Sequence, residues 1–153
     1  MITLPLTIIL AEDDPGHAAL VQRNLRRAAI ANDLIHVRDG QALLDYLGGA
    51  GAYAGRAVPE APLILLDLNM PGLGGVETLA ILKADADTQP LPVIMLSTAD
   101  NPREIAACYR LGCNMYLTKP VEYEDFAAAI RQLGLFLQFV RVPTHRDGGG
   151  GGR

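Results

Sequence analysis

Five short apolar runs, each followed by a longer stretch with helical periodicity, constrain this chain more than any other feature. The runs are Leu6–Ala11, Leu34–Val37, Leu63–Leu66, Val93–Leu96 and Met115–Leu117. Most are continuous, with no alternation, the pattern of strands buried on both faces. The intervening patterns predict helices near 15–30, 41–48, 75–84, 102–111 and 122–141. Five strand-then-helix units predict an α/β fold, an open parallel sheet with helices on both faces. At 153 residues the chain has the size of one domain. Half of its residues are hydrophobic, enough to bury a core.

Local signals agree with these boundaries. Asp14-Pro15 predicts a helix cap with a first-turn proline, Asp39-Gly40 a turn into a helix, and Gly112 a helix stop. Residues 48–62 are rich in Gly, Ala and Pro and predict a long loop with one loose turn. The end carries five consecutive glycines, so residues 1–143 are expected to form the domain and 144–153 a flexible tail. The apolar runs are strand-sized, so no membrane span is expected. The net charge of −4 offers no nucleic-acid or anionic-membrane surface. Two cysteines, Cys108 and Cys113, exclude a disulfide-rich scaffold or an all-cysteine zinc site, and a cytoplasmic setting is expected.

The polar residues at the strand ends carry the chemistry. Glu12, Asp13 and Asp14 follow the first run, Asp67 the third, Ser97 and Thr98 the fourth, Lys119 the fifth. In a parallel sheet these ends share one edge, where ligands bind. Clustered carboxylates repel unless cations separate them. Lys119, one of two lysines against eleven arginines, supplies one positive charge. A hard, oxygen-preferring cation supplies the rest, and Mg²⁺ fits because it takes one or two carboxylates and bridges to phosphoryl oxygens. Singly, each residue has an ordinary reading: Asp14 as a cap, Asp67 as a structural acid, Lys119 as a solvated loop lysine. Their joint placement at four strand ends is what points to a site.

The ordered set Glu12-Asp13, Asp67-Leu68-Asn69-Met70-Pro71-Gly72, Ser97-Thr98-Ala99 and Tyr116-Leu117-Thr118-Lys119-Pro120 resembles the receiver domain of two-component response regulators. The resemblance runs from about Leu6 to Phe139. It implies a doubly wound, flavodoxin-like sheet of order 2-1-3-4-5. It also implies that Asp67 accepts a phosphoryl group from a sensor histidine kinase, making the chain a signalling protein and not an enzyme. Asp13 matches the direct Mg²⁺ ligand, Glu12 a ligand acting through water, and Asn69 a backbone-carbonyl ligand. Ser97 and Lys119 match the residues that bind phosphoryl oxygens, with backbone amides near Thr98. Tyr116 matches the aromatic that changes rotamer when the hydroxyl residue moves, a readout on the fourth helix, fifth strand and fifth helix. The Lys119-Pro120 bond is expected to be cis. No second domain is expected after the fifth helix. A finer resemblance, carried by the long loop, the Leu-Asp-Leu-Asn-Met-Pro motif and Lys83–Pro92, is to stand-alone receivers paired with bacterial phytochrome kinases.

Three other functions compete. A Mg²⁺-dependent phosphatase or phosphotransferase with an aspartate nucleophile needs a second aspartate two residues on, where this chain has Asn69. A flavin or nucleotide binder wants a Gly/Ser/Thr-rich loop after the first strand, where this chain has three acids. A purely scaffolding receiver would not need the full acid and lysine set. On the fifth helix, Phe126, Ile130, Leu133 and Leu137 fall within about 60° of one another, the face for the sheet. Leu135 and Phe139 fall opposite and Phe136 at the edge, which predicts a homodimer contact through these three.

Overall fold

The computed structural model describes residues 7–27, 34–55, 62–129 and 131–132. Its strands are β1 (Ile8–Ala11), β2 (Leu34–Val37), β3 (Leu63–Asp67), β4 (Val93–Ser97) and β5 (Met115–Thr118). All pair in parallel, in the order β2-β1-β3-β4-β5. The helices are α1 (Pro15–Arg27), α2 (Gly40–Gly48), α3 (Gly75–Ala84) and α4 (Pro102–Leu111). A fifth helix, α5, is described at 123–129 and 131–132. The expected fold class and strand order are therefore those of the structure.

Side-chain alternation splits the sheet's residues between two cores. Ile9, Ala11, Ile64, Leu66, Val93 and Met95 pack with Leu43, Tyr46, Leu79 and Leu82 of α2 and α3. Ile8, Leu10, Leu63, Leu65, Ile94 and Leu96 pack with Ala18, Val21 and Leu25 of α1 and with Phe126 and Ala129 of α5. Both faces of β1, β3 and β4 are thus covered, which is why their sequences run apolar without alternation. Phe126 is fully buried, a contribution of about 1.5–3 kcal/mol from its side chain alone.

The caps match their signals. Asp14 Oδ1 accepts from the Gly16 and His17 N–H groups at 2.8 and 3.2 Å. Asp39 accepts from the Ala42 N–H at 2.8 Å, and Gly112 ends α4 with φ 111°. The described part of the 48–62 loop includes a 3₁₀ turn, Gly51–Tyr53, with the Tyr53 ring edge-on to Tyr46 at 5.2 Å. Residues 56–61, the 144–153 tail and the candidate dimer residues Leu135, Phe136 and Phe139 lie outside the described residues.

One glycine sets the position of the β3 end. The first residue of α3, Gly75, donates its N–H to the Leu68 carbonyl at 2.9 Å. A Cβ there would stand 2.4 Å from the Asp67 carbonyl oxygen and 2.6 Å from the Leu68 Cα. Both neighbours are backbone, so nothing can rotate away. Gly75→Ala is expected to destabilise the domain by about 1–3 kcal/mol through overpacking, although alanine is the better helix former. Urea unfolding checks this; an unchanged or raised midpoint would refute the close approach.

Candidate functional site

Strand register brings the polar residues to one edge. Asp67 pairs with Leu96 and Ser97 with Thr118, so the ends of β3, β4 and β5 are level. Glu12 follows β1, its N–H bonded to the Val37 carbonyl at 3.0 Å. Across these ends lies the Lys119 side chain, only 10% exposed. Its Nζ stands 2.6 Å from Glu12 Oε1 and 2.9 Å from Asp67 Oδ1. The third neighbour of the ammonium is His17 Nδ1, at 3.2 Å. The Lys119-Pro120 peptide is cis, as expected.

The charges do not balance. Glu12 and Asp67 are both buried, and one ammonium serves the two. Burial pushes the Asp67 carboxyl up to about 6; the pull of Lys119 opposes this and the charge of Glu12 reinforces it. Burial also works against the charged form of Lys119, but the hydrogen bonds it donates to Glu12 and Asp67 outweigh it and hold the lysine above its usual value. The two shifts describe one situation. The ammonium is over-supplied with anions, and Asp67 carries the excess.

Asp13 is exposed, and one of its carboxylate oxygens lies within 4.8 Å of one from Glu12 and one from Asp67. An all-oxygen donor set of this kind suits a hard divalent cation. Glu12 is already engaged, through Oε1 with Lys119 and through Oε2, which accepts the Asp14 N–H at 3.2 Å. Asp67 is engaged as well, by Lys119 through Oδ1 and by Glu12. Asn69 is exposed in the turn beyond Asp67.

Ser97 is buried, and its Oγ accepts the Ala99 N–H at 3.0 Å. A hydroxyl that accepts one bond still has its O–H to donate. Tyr116 is half-buried, and its Oη donates to the Ala99 carbonyl at 2.8 Å. Burial raises the phenol pKa, so the hydroxyl keeps its proton to donate. Thr98 is exposed beside the site. Of the residues singled out from the sequence, the structure brings together Glu12, Asp13, Asp67 and Lys119, places Thr98 on a pocket with Lys119, and joins Ser97 and Tyr116 through Ala99. It adds His17 and Gly75. His17 carries no motif, and only its place in the first turn after the acidic cluster signals it.

Residues 8–131 match the family described as the response regulator receiver domain. The chain is 37% identical over 141 residues to the response regulator Rcp1 of Synechocystis sp., covering 92% of this chain and 95% of Rcp1. Its fold superposes on the Mn²⁺-bound form of Rcp1 with a TM-score of 0.71, over 87% of this chain and 94% of that one. The bacteriophytochrome response regulator RtBRR is 37% identical with a TM-score of 0.77, over 86% and 79% of the two chains. The phosphorylated cyanobacterial phytochrome response regulator RcpA is 34% identical with a TM-score of 0.71, over 87% and 94%. The chain belongs to the response regulator receiver domain family.

Proposed function

We propose that this receiver takes a phosphoryl group from a histidine kinase onto Asp67. The observation that carries the reading is the placement of Lys119, its ammonium held between Glu12 and Asp67 with Asp13 alongside. An Asp67 oxygen attacks phosphorus, the P–N bond to the kinase imidazole breaks, and the ring leaves with the electron pair and is protonated. Phosphoryl transfer needs positioning and neutralisation of the transferring oxygens. Lys119 turns to one of these oxygens, and Ser97 donates its O–H to another. Asp13, Asp67, the Asn69 carbonyl and, through water, Glu12 would hold Mg²⁺, which offsets the charge of the carboxylates and of the incoming phosphoryl group. Recruitment of Ser97 would be read by Thr98 and Tyr116 and passed to α4, β5 and α5.

That Rcp1 has a Mn²⁺-bound structure and RcpA a phosphorylated one supports the metal and the acceptor chemistry. The names of RtBRR and RcpA support a phytochrome-type kinase as the donor. Among the described residues no helix is long and apolar enough to cross a membrane, which accords with a cytoplasmic partner to such a kinase. A phosphatase with an Asp67 nucleophile is disfavoured, because Asn69 cannot act as its acid and base.

Acetyl phosphate with Mg²⁺ tests the reading by intact mass. One phosphoryl group should add, in an alkali-labile linkage, and excess chelator should prevent it. Asp13→Ala should slow addition by at least about 100-fold while the fold survives. Equal phosphorylation in chelator would refute the metal role. The dimer contact proposed for Leu135, Phe136 and Phe139 is tested by sedimentation of wild type and Leu135→Glu/Phe139→Glu. A wild type that stays monomeric at high concentration, phosphorylated or not, removes it.

A further inference from the structure

We propose that His17 and Asn24, two turns apart on α1, are positioning residues for Lys119, one holding its ammonium and the other holding the loop that carries it. The inference rests on the reading of Asp67 as phosphoacceptor and adds two residues that no strand end or motif supplies.

Lys119 follows the last strand of the sheet, and its chain continues through Pro120 and Val121 before α5 begins. A lysine side chain on a loop has many rotamers, and fixing it costs entropy. An ammonium has three donors and no acceptor. Glu12 and Asp67 take two, and His17 Nδ1, at 3.2 Å, stands where an unprotonated ring nitrogen takes the third. The His17 backbone is itself fixed, because its N–H is one of the two that Asp14 caps. When a phosphoryl oxygen replaces Asp67 as a partner of the ammonium, Glu12 and His17 keep the other two in place.

Asn24 acts at the opposite end of the same segment. Its side chain is 8% exposed on the apolar face of α1, beside Val21 and Leu25. Asparagine is a poor helix former, and a buried amide is costly unless bonded. Its Nδ2 donates to the Val121 carbonyl at 2.8 Å, two residues past Lys119 and 97 positions away in sequence. Seven residues make almost two full turns, so His17 and Asn24 project from one side of the helix. Between them a cavity of about 150 Å³, lined by Leu20, Val21 and Pro120 among others, separates α1 from the loop. Val121 packs in the core with Val21 and Leu25, and the two polar contacts flank the cavity, one at the ammonium and one at the backbone two residues past the lysine.

The test is phosphorylation of the whole protein by acetyl phosphate across a Mg²⁺ titration. Its readouts are the rate at saturating Mg²⁺ and the Mg²⁺ concentration giving half that rate. His17→Leu should lower the saturating rate by about 10–100-fold, the scale of a lost bond to a charged group, and Asn24→Leu by about 3–10-fold, that of a lost neutral one. The half-saturating Mg²⁺ should stay within about twofold, because Lys119 is not a ligand of the metal. His17→Asn, whose Oδ1 can accept in place of Nδ1, should recover most of the rate. Asn24→Ala stands in if Asn24→Leu fails to fold; His17 is half-exposed and its variants are expected to fold. A saturating rate unchanged in the His17 and Asn24 variants overturns the inference. So does a rate loss matched by an equal rise in half-saturating Mg²⁺, or one that Asn at position 17 does not restore. A wild type that takes no phosphoryl group would instead overturn the reading of Asp67.

Discussion

Asp67→Asn is expected to end phosphoryl uptake and, at the same time, to make the domain harder to unfold at neutral pH. The first effect follows from chemistry. An amide oxygen is a far weaker nucleophile than a carboxylate, so the rate with acetyl phosphate should fall by more than about 1000-fold. The second follows from burial. The Asp67 carboxyl is pushed up to about 6 in the folded protein, whereas an ordinary one titrates at 3.8. Between those values the folded state keeps a proton that the unfolded chain has released. Stability therefore falls as pH rises from about 4 to about 6 and stays lowered above that. Asparagine keeps the shape and an oxygen for Lys119 but carries no charge to desolvate. The gain at pH 7 should be about 1–3 kcal/mol, vanishing as pH falls toward 4. Urea midpoints across pH, in chelator, measure it. A variant less stable than wild type at pH 7, or one that still gains a phosphoryl group by mass, would contradict the site as described.

Lys119→Met should act in the opposite direction and by more. Methionine replaces the stem at similar volume but leaves Glu12 and Asp67 buried without a cation. Removing one partner of a buried ion pair costs about 3–5 kcal/mol. Protonation of the carboxyls limits the loss, so stability should recover as pH falls from 7 toward 5. Divalent cation should restore part of it, by binding the folded state alone. A variant as stable as wild type at pH 7 in chelator would show that the three groups do not share one buried field.

The sheet and its edge were legible because burial writes itself into composition. β3 and β4 are apolar up to their last residue since helices cover both faces, and α3 was legible at both ends. Apolar runs nevertheless stop short of the strands. Leu66, Leu96 and Leu117 close the runs, while pairing continues to Asp67, Ser97 and Thr118, where side chains turn polar and the backbone does not change. Asn24 left a trace, a polar residue at an apolar position of the α1 pattern, but it lies far in sequence from any strand end. Gly75 left none, because its role depends on how α3 returns beneath β3.

Ala99 left none either, since a methyl side chain says nothing about the amide and carbonyl it carries. Its N–H is tied to Ser97 and its carbonyl to Tyr116. The two side chains thus grip opposite ends of one residue, like two hands on a short rod. Ser97 and Tyr116 meet on the backbone of one residue, and their hydroxyls also interact directly.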